Sequence, residues 1–167
     1  MSETNSLVKV EFRESIMNLQ NKMIEAIKNG EVESNLDDCI LTHHFAPIQE
    51  EYGCGTYARE MFIPKGTVLV GKIHRHHYIN FIMKGKLSVS TEFGKQYYEA
   101  PCIFVSEPGM KRAIYAEEDS IWVNVHISKH TGEESLDKIE EEVIAPSYEA
   151  LGLIASKNEL LKLEVGE

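Results

Sequence analysis

Seven residues hold the densest chemistry in the chain: Ile73-His74-Arg75-His76-His77-Tyr78-Ile79, followed by Asn80. On a strand, residues two apart share a face, so His74 and His76 point the same way. Tyr78 and Asn80 follow them if the strand runs unbroken, and His77 then faces the opposite side. Two imidazoles on one face of a strand suit three uses. They can ligate a metal, form a hydrogen-bonded polar layer, or pass protons near neutral pH. A histidine beside a buried tyrosine could act as a general base in isomerase or epimerase chemistry. Tyr57, Tyr78, Tyr98 and Tyr115 are the candidate tyrosines, against the ordinary use of strand aromatics as core. A further pairing, Cys39 with His43 or His44, would make a thiol–imidazole couple. The chain has no glycine-rich phosphate loop, no His-Glu-x-x-His helix and no Gly-x-Ser-x-Gly elbow.

The elements that must hold these residues follow from the pattern around them. Short runs rich in Val, Ile, Tyr and Phe alternate with turn residues every 8–12 positions or so, the spacing of an all-β sandwich or barrel. The expected strands are Tyr57–Ile63, Thr67–Ile73, Tyr78–Met83, Leu87–Thr91, Gln96–Glu99, Cys102–Val105, Arg112–Ala116 and Ser120–His126. Pro64-Lys65-Gly66, Lys84-Gly85-Lys86, Phe93-Gly94-Lys95, Pro108-Gly109 and Glu117-Glu118-Asp119 supply the reversals. Before this block, Phe12, Ile16, Leu19, Met23 and Ile27 trace one stripe of a helix that Asn29-Gly30 ends. Glu31 to Gly53 reads as an irregular arm that could cover a barrel mouth. After the block, Leu136, Ile139 and Val143 mark an acidic helix ended by Pro146, and Ser156-x-x-Glu159 is a capping box for a last short turn. The expected organisation is one structural domain in three parts: helix and arm (1–54), barrel (55–127) and helical tail (128–167).

Gly71-Lys72-Ile73-His74-Arg75-His76-His77-Tyr78-Ile79-Asn80, leading to Lys84-Gly85-Lys86, resembles the first motif of the cupin superfamily. Ser106-Glu107-Pro108-Gly109-Met110-Lys111-Arg112 resembles the second. The likeness spans about Thr56 to Ile127. It implies a mainly β fold, a single jelly-roll-like barrel, to which the apolar patterns on either side add an N-terminal helix and a helical C-terminal tail. Four further elements resemble cupin-domain proteins carried by phage and prophage genomes. These are Thr42-His43-His44-Phe45-Ala46-Pro47, Tyr57-Ala58-Arg59-Glu60, Gly71-Lys72-Ile73-His74 and Ile121-Trp122-Val123-Asn124-Val125-His126.

Carried over residue by residue, the resemblance puts the metal-binding histidine pair at His74 and His76. The glutamate position falls on Asn80, or on Tyr78 when the alignment is anchored at Gly85. The histidine of the second motif falls on Arg112, a permanent cation that cannot ligate a metal. With His126 as a third donor, the set implies at most a weakly held Zn, Ni, Fe or Mn ion. Arg112 suggests another ligand, since a planar guanidinium fork suits carboxylate or phosphate. On that reading Arg112, Tyr78, Asn80 and Lys72 bind a small anion such as a carboxylated sugar, keto acid or nucleotide. The alternative is that Arg112 pairs with a structural carboxylate, Glu60 or Glu107.

Charge sharpens the choice. The chain carries 17 Lys and Arg against 27 Asp and Glu in 167 residues, a formal net charge of −10, which speaks against a nucleic-acid partner. The acidity lies in the flanks. Segments 1–54 and 128–167 each hold 4 basic and 10 acidic residues, whereas 55–127 holds 9 basic and 7 acidic. The segment with the candidate site is the one suited to an anion. No apolar run is long enough to cross a membrane. Three well-separated cysteines, and a start (Met1-Ser2-Glu3-Thr4-Asn5) unlike a signal peptide, lead us to expect a cytoplasmic protein, that of the host cell if phage-encoded. A homodimer joined through the helices or barrel edges is the expected assembly. Three functions fit: an anion-binding cupin, a metal-dependent cupin enzyme of dioxygenase or isomerase type, or a non-catalytic phage structural or assembly protein.

Overall fold

The computed structural model describes residues 3–165. The first element is a 26-residue helix, α1 (Glu3–Lys28). It ends in a Schellman motif: the Glu31 N–H bonds the Ala26 carbonyl and the Gly30 N–H bonds the Ile27 carbonyl, with Gly30 at φ 71°. Its buried line is rotated from the expected stripe. Val10, Arg13 and Ile16 are buried while Leu19 and Ile27 are exposed. The cause is Arg13, whose guanidinium makes two bonds to the Glu92 carboxylate (2.8 and 3.1 Å) and a third to the Ile154 carbonyl. A paired arginine can occupy a buried position that an apolar count does not assign to it.

Ten strands then follow: β1 (Ile40–Gln49), β2 (Cys54–Ile63), β3 (Val68–Val70), β4 (Ile73–His74), β5 (Tyr78–Lys84), β6 (Lys86–Thr91), β7 (Gly94–Glu99), β8 (Cys102–Ser106), β9 (Ala113–Ala116) and β10 (Ser120–Ser128). A five-stranded antiparallel sheet, in the order β1-β2-β10-β5-β8, faces a four-stranded one in the order β3-β9-β6-β7. The fold is mainly β, a double-sheet barrel as the cupin resemblance implies, with the N-terminal helix and C-terminal helices that the flanking apolar patterns predict. The expected arm contains a ten-residue strand, however. β1 pairs with β2 over Ile40↔Phe62 to Ala46↔Thr56, so the main sheet begins well before residue 55. Mostly exposed, and containing Pro47, β1 is a solvated edge without the alternation that marks a strand.

The two sheets close on an apolar floor of Ile63, Leu69, Ile82, Leu87, Val89, Ala116 and Trp122. The opposite end is roofed by α2 (Leu136–Val143). Its buried Ile139 and Val143 pack on Tyr57, with Phe45, Leu136 and Ile144 around them. The chain leaves α2 through β11 (Ile144–Ala145), which pairs with β4 in the register Ile144↔His74. The last helix is α3 (Lys157–Val165). Its capping box closes as expected: Glu159 Oε2 accepts from the Ser156 N–H (3.2 Å) and Ser156 Oγ accepts from the Glu159 N–H (3.3 Å).

Candidate functional site: a cationic barrel interior

Strand register arranges the interior in rows. Across the five-stranded sheet, Leu41, Met61, Trp122 and Ile82 form the row nearest the floor. Above it lie His43, Arg59, Asn124, Asn80 and Phe104, and above those Phe45, Tyr57 and His126. The inward phase thus grows polar toward the α2 end. Two adjoining cavities occupy this region. One, of about 180 Å³, lies against Met61, Ile63, Leu69, Trp122, Tyr78 and Arg112. The other, of about 300 Å³, lies under α2 against His43, Tyr57, His126 and Glu140. Arg59, Lys72 and His74 line both.

Arg112 is 5% exposed. Its Nη1 donates to the Tyr78 hydroxyl (2.7 Å) and its Nη2 to Ser106 Oγ (2.5 Å). The guanidinium carbon lies 5.8–5.9 Å from the ring centres of Tyr78, Phe104 and Trp122, within cation–π reach. Nε has no hydrogen-bond partner. Neither carboxylate considered as a structural partner is available: Glu60 pairs with His44 (3.0 Å) and Glu107 with His77 (2.8 Å). Among the described residues no carboxylate ion-pairs with Arg112 or Arg59. The Arg59 Nε is likewise buried without a partner. Removing a cation from water without a counter-charge is costly; Arg112 is such a cation, and the partly exposed Arg59 adds a second unpaired charge to the cavity wall.

The histidine segment departs from the expected pattern. β4 stops at His74, and Arg75 and His76 form a bend before β5. His74 and Tyr78 are buried, whereas His76 and His77 are both exposed. The bend breaks the two-residue period, so neither His76 nor His77 faces inward. It is held by Arg75, whose N–H bonds the Val143 carbonyl and whose side chain bonds the Ile144 carbonyl, both at 2.9 Å. On the other side of β4 the Gly109 N–H bonds the His74 carbonyl at 2.8 Å. Gly109 sits at φ 76°, a backbone state that suits glycine.

His74, Tyr78 and His126 stack with ring centres 4.2–5.1 Å apart. Burial lowers the basicity of both imidazoles, and neighbouring positive groups add to it. His74 is pushed down to about 2, with His126, Arg112 and Arg59 contributing after burial. His126 is pushed down to about 4, with Arg59 the next cause. Both are neutral at physiological pH. Tyr57 hydrogen-bonds His43 Nδ1 at 2.8 Å; burial raises the pKa of the Tyr57 hydroxyl and lowers that of His43. A neutral imidazole on a buried phenol is a polar pair that can exchange a proton with a bound molecule.

Two residues expected in the ligand shell serve other ends. Asn80, fully buried, accepts from Trp122 Nε1 (3.0 Å) and Asn124 Nδ2 (2.8 Å) and donates to Ser106 Oγ (2.6 Å). It ties β5, β8 and β10 together and does not line either cavity. Lys72, half-exposed at the rim, pairs with Glu140 of α2. The thiol–imidazole couple is absent: Cys39 Sγ is bonded to the Asn35 carbonyl, while His43 and His44 are engaged with Tyr57 and Glu60. Tyr98 stacks on Phe104 and Tyr115 is exposed. Arg59 is the site residue sequence reading missed. The signal was its phase, two residues from Tyr57 and Met61 on β2.

The donors do not fit a divalent metal. The His74 and His126 rings are parallel to within 1° with centres 5.1 Å apart. Imidazole lone pairs lie in the ring plane, so stacked parallel rings do not converge on one ion. His76 is on the exposed bend, Asn80 is consumed by its network, and Arg112 stands where the second motif has a histidine. Among the described residues no three His, Cys, Asp or Glu side chains are grouped as metal ligands. Arg59, Arg112 and Lys72 would repel a cation there.

No protein-family model matches the sequence, and no curated protein matches it. Several solved structures are similar. KdgF from a Halomonas species is 18% identical, over 52% of this chain and 88% of that one, with a TM-score of 0.39. An RmlC-like cupin from Shewanella frigidimarina is 15% identical, over 57% and 89%, with a TM-score of 0.40. The ectoine synthase of P. lautus is 12% identical, over 61% and 72%, with a TM-score of 0.46. Identity is low and little more than half of this chain is matched, so function is read from the site itself. No helix among the described residues is long and apolar enough to cross a membrane.

Proposed function

We propose that this chain is a small-molecule-binding barrel protein of the cupin type, taking a small anion in the cavity that Arg112 and Arg59 both line. The sequence elements shared with phage and prophage cupin-domain proteins support that setting. The observation that carries the reading is the buried Arg112 guanidinium, bonded only to neutral hydroxyls on a cavity wall that holds a second unpaired arginine. A carboxylate or phosphate would supply the counter-charge that both arginines lack. The neutral imidazoles of His74 and His126 add polar contacts without adding charge. Small, mostly apolar walls beside the cations favour a compact ligand with an anionic head.

Thermal unfolding with a panel of small carboxylates, keto acids, sugar acids and inorganic phosphate tests the reading. Selected anions should raise the melting temperature by ligand linkage, while uncharged polyols of equal size should not. Arg59→Gln should weaken the best anion by about 10- to 100-fold, the range for a lost charged hydrogen bond. A panel in which no anion shifts the transition, or an equal shift in Arg59→Gln, would contradict it.

A further inference from the structure

The cavity that Arg112 lines holds about 180 Å³, less than the roughly 300–1,000 Å³ of a complete ligand site. A compact anionic group fills it, and anything attached to that group must continue beyond. Leu36, Leu69 and Val70, on its wall, also line a third cavity of about 720 Å³. This is a groove between the C-terminal half of α1, residues 32–36 and β3. It arises from two sequence patterns. β3 is apolar on both phases, as Val68-Leu69-Val70, which is the pattern of a strand covered on both faces. Leu69 packs into the barrel floor, while Val68 faces the groove. The later members of the apolar stripe of α1, Met23 and Ile27, line the groove opposite. Ile24, Ile27, Val32, Leu36 and Val68 all line it and are 38–56% exposed. Five large apolar side chains left to water around one concavity mark a binding surface. Leu36 is pinned where cavity and groove meet. The Asn35 side chain donates to the buried Thr67 Oγ1 at 2.9 Å, and the Leu36 carbonyl accepts from the Cys39 N–H at 3.0 Å.

The geometry points to an amphiphile as the ligand: an anionic head at Arg112 and Arg59, and an aliphatic chain that passes Leu36 to lie in the groove against Ile27 and Val68. This rests on the anion reading above and names its substrate class, an aliphatic carboxylate. The arginines fix the head inside the barrel. Met61, Ile63, Leu69 and Trp122 beside them give the first methylenes an apolar path. The chain has one apolar way onward. The cavity under α2 is walled by Lys72, His43, His126, Asp137 and Glu140, groups that lose hydration against an alkyl chain and gain nothing in return. The groove offers the opposite, apolar surface already at the mouth and not yet removed from water. Continuity with the arginine cavity favours a chain tethered by its head over a second copy of the protein or a separate peptide.

Calorimetric titration of the full chain with straight-chain carboxylates from acetate to decanoate, each below its micelle concentration, tests this. Every CH₂ that the groove covers should tighten binding about three- to four-fold. Val68→Gln, on the exposed phase of β3, should weaken decanoate about tenfold and leave butanoate unchanged. Ile27→Gln gives the same readout from the opposite wall, on a helix position that is already partly exposed. Arg59→Gln should weaken both acids alike. Short carboxylates that bind with no gain from added length would overturn the amphiphile and leave the anion reading standing. If no carboxylate of any length binds, both fall. Decanol binding as tightly as decanoate would also overturn it, as adsorption without a head group. So would a mass that doubles with concentration and returns to 19.0 kDa in Val68→Gln, which would assign the groove to a second copy.

Discussion

At the scale of single residues, the site is defined by charge that lacks a partner. Arg112 and Arg59 hold unpaired buried Nε atoms, while His74 and His126 are kept neutral by burial. That neutrality has a consequence for stability. Each imidazole has a folded pKa below its ordinary value of 6.5, so the unfolded chain binds the proton more readily. Stability from these groups is present above about 6.5 and is lost as pH falls from there toward the folded values near 4 and 2. Between pH 6.5 and 4, unfolding should take up about two protons, each worth near 1.4 kcal/mol per pH unit. Urea midpoints measured across that range should therefore drop steadily. In His74→Asn the slope should be close to half, and an unchanged slope would contradict the burial of a neutral His74. Asn80 shows the limit of reading residues from a motif. Its type was visible, but its three partners come from strands β8 and β10, which only the fold brings together.

At the scale of elements, most strands from β2 to β10 were legible because Val, Ile, Tyr and Phe runs alternate with turn residues, but the expected Thr67–Ile73 strand is two, β3 and β4, in different sheets. The N-terminal helix was legible too, but not which side of it is buried, because Arg13 and Glu92 place an ion pair on the core line. β1 was not legible, since as an exposed edge it has no inward–outward contrast. The bend at Arg75–His76 was hidden as well. It depends on Val143 and Ile144 carbonyls some seventy residues away, which no local spacing reveals. These long-range bonds make α2 and β11 part of the site. Ile139, 1% exposed, packs α2 on Tyr57. Ile139→Ala should cost about 2–4 kcal/mol in equilibrium unfolding. It should also speed hydrogen exchange in α2 and at the Arg75 N–H while leaving the floor strands β6 and β9 protected. Equal loss of protection in β6 would mean that the roof and the floor are not separable.

At the scale of the whole molecule, the acidic flanks and the basic middle have distinct places. The flanks form α1, the edge strand β1, the α2 roof and α3 around a barrel whose interior carries the unpaired cations. The central claim is that Arg112 is retained for an anion and not for the fold. Urea denaturation of the parent and of Arg112→Met, each with and without a saturating small carboxylate, tests it most directly. Without the carboxylate the variant should stay within about 1–3 kcal/mol of the parent, because the loss of the Tyr78 and Ser106 hydrogen bonds is offset by removal of a buried unpaired charge. With it, only the parent should gain stability. A variant that is several kcal/mol weaker without the carboxylate, yet gains as much from it as the parent does, would contradict the claim.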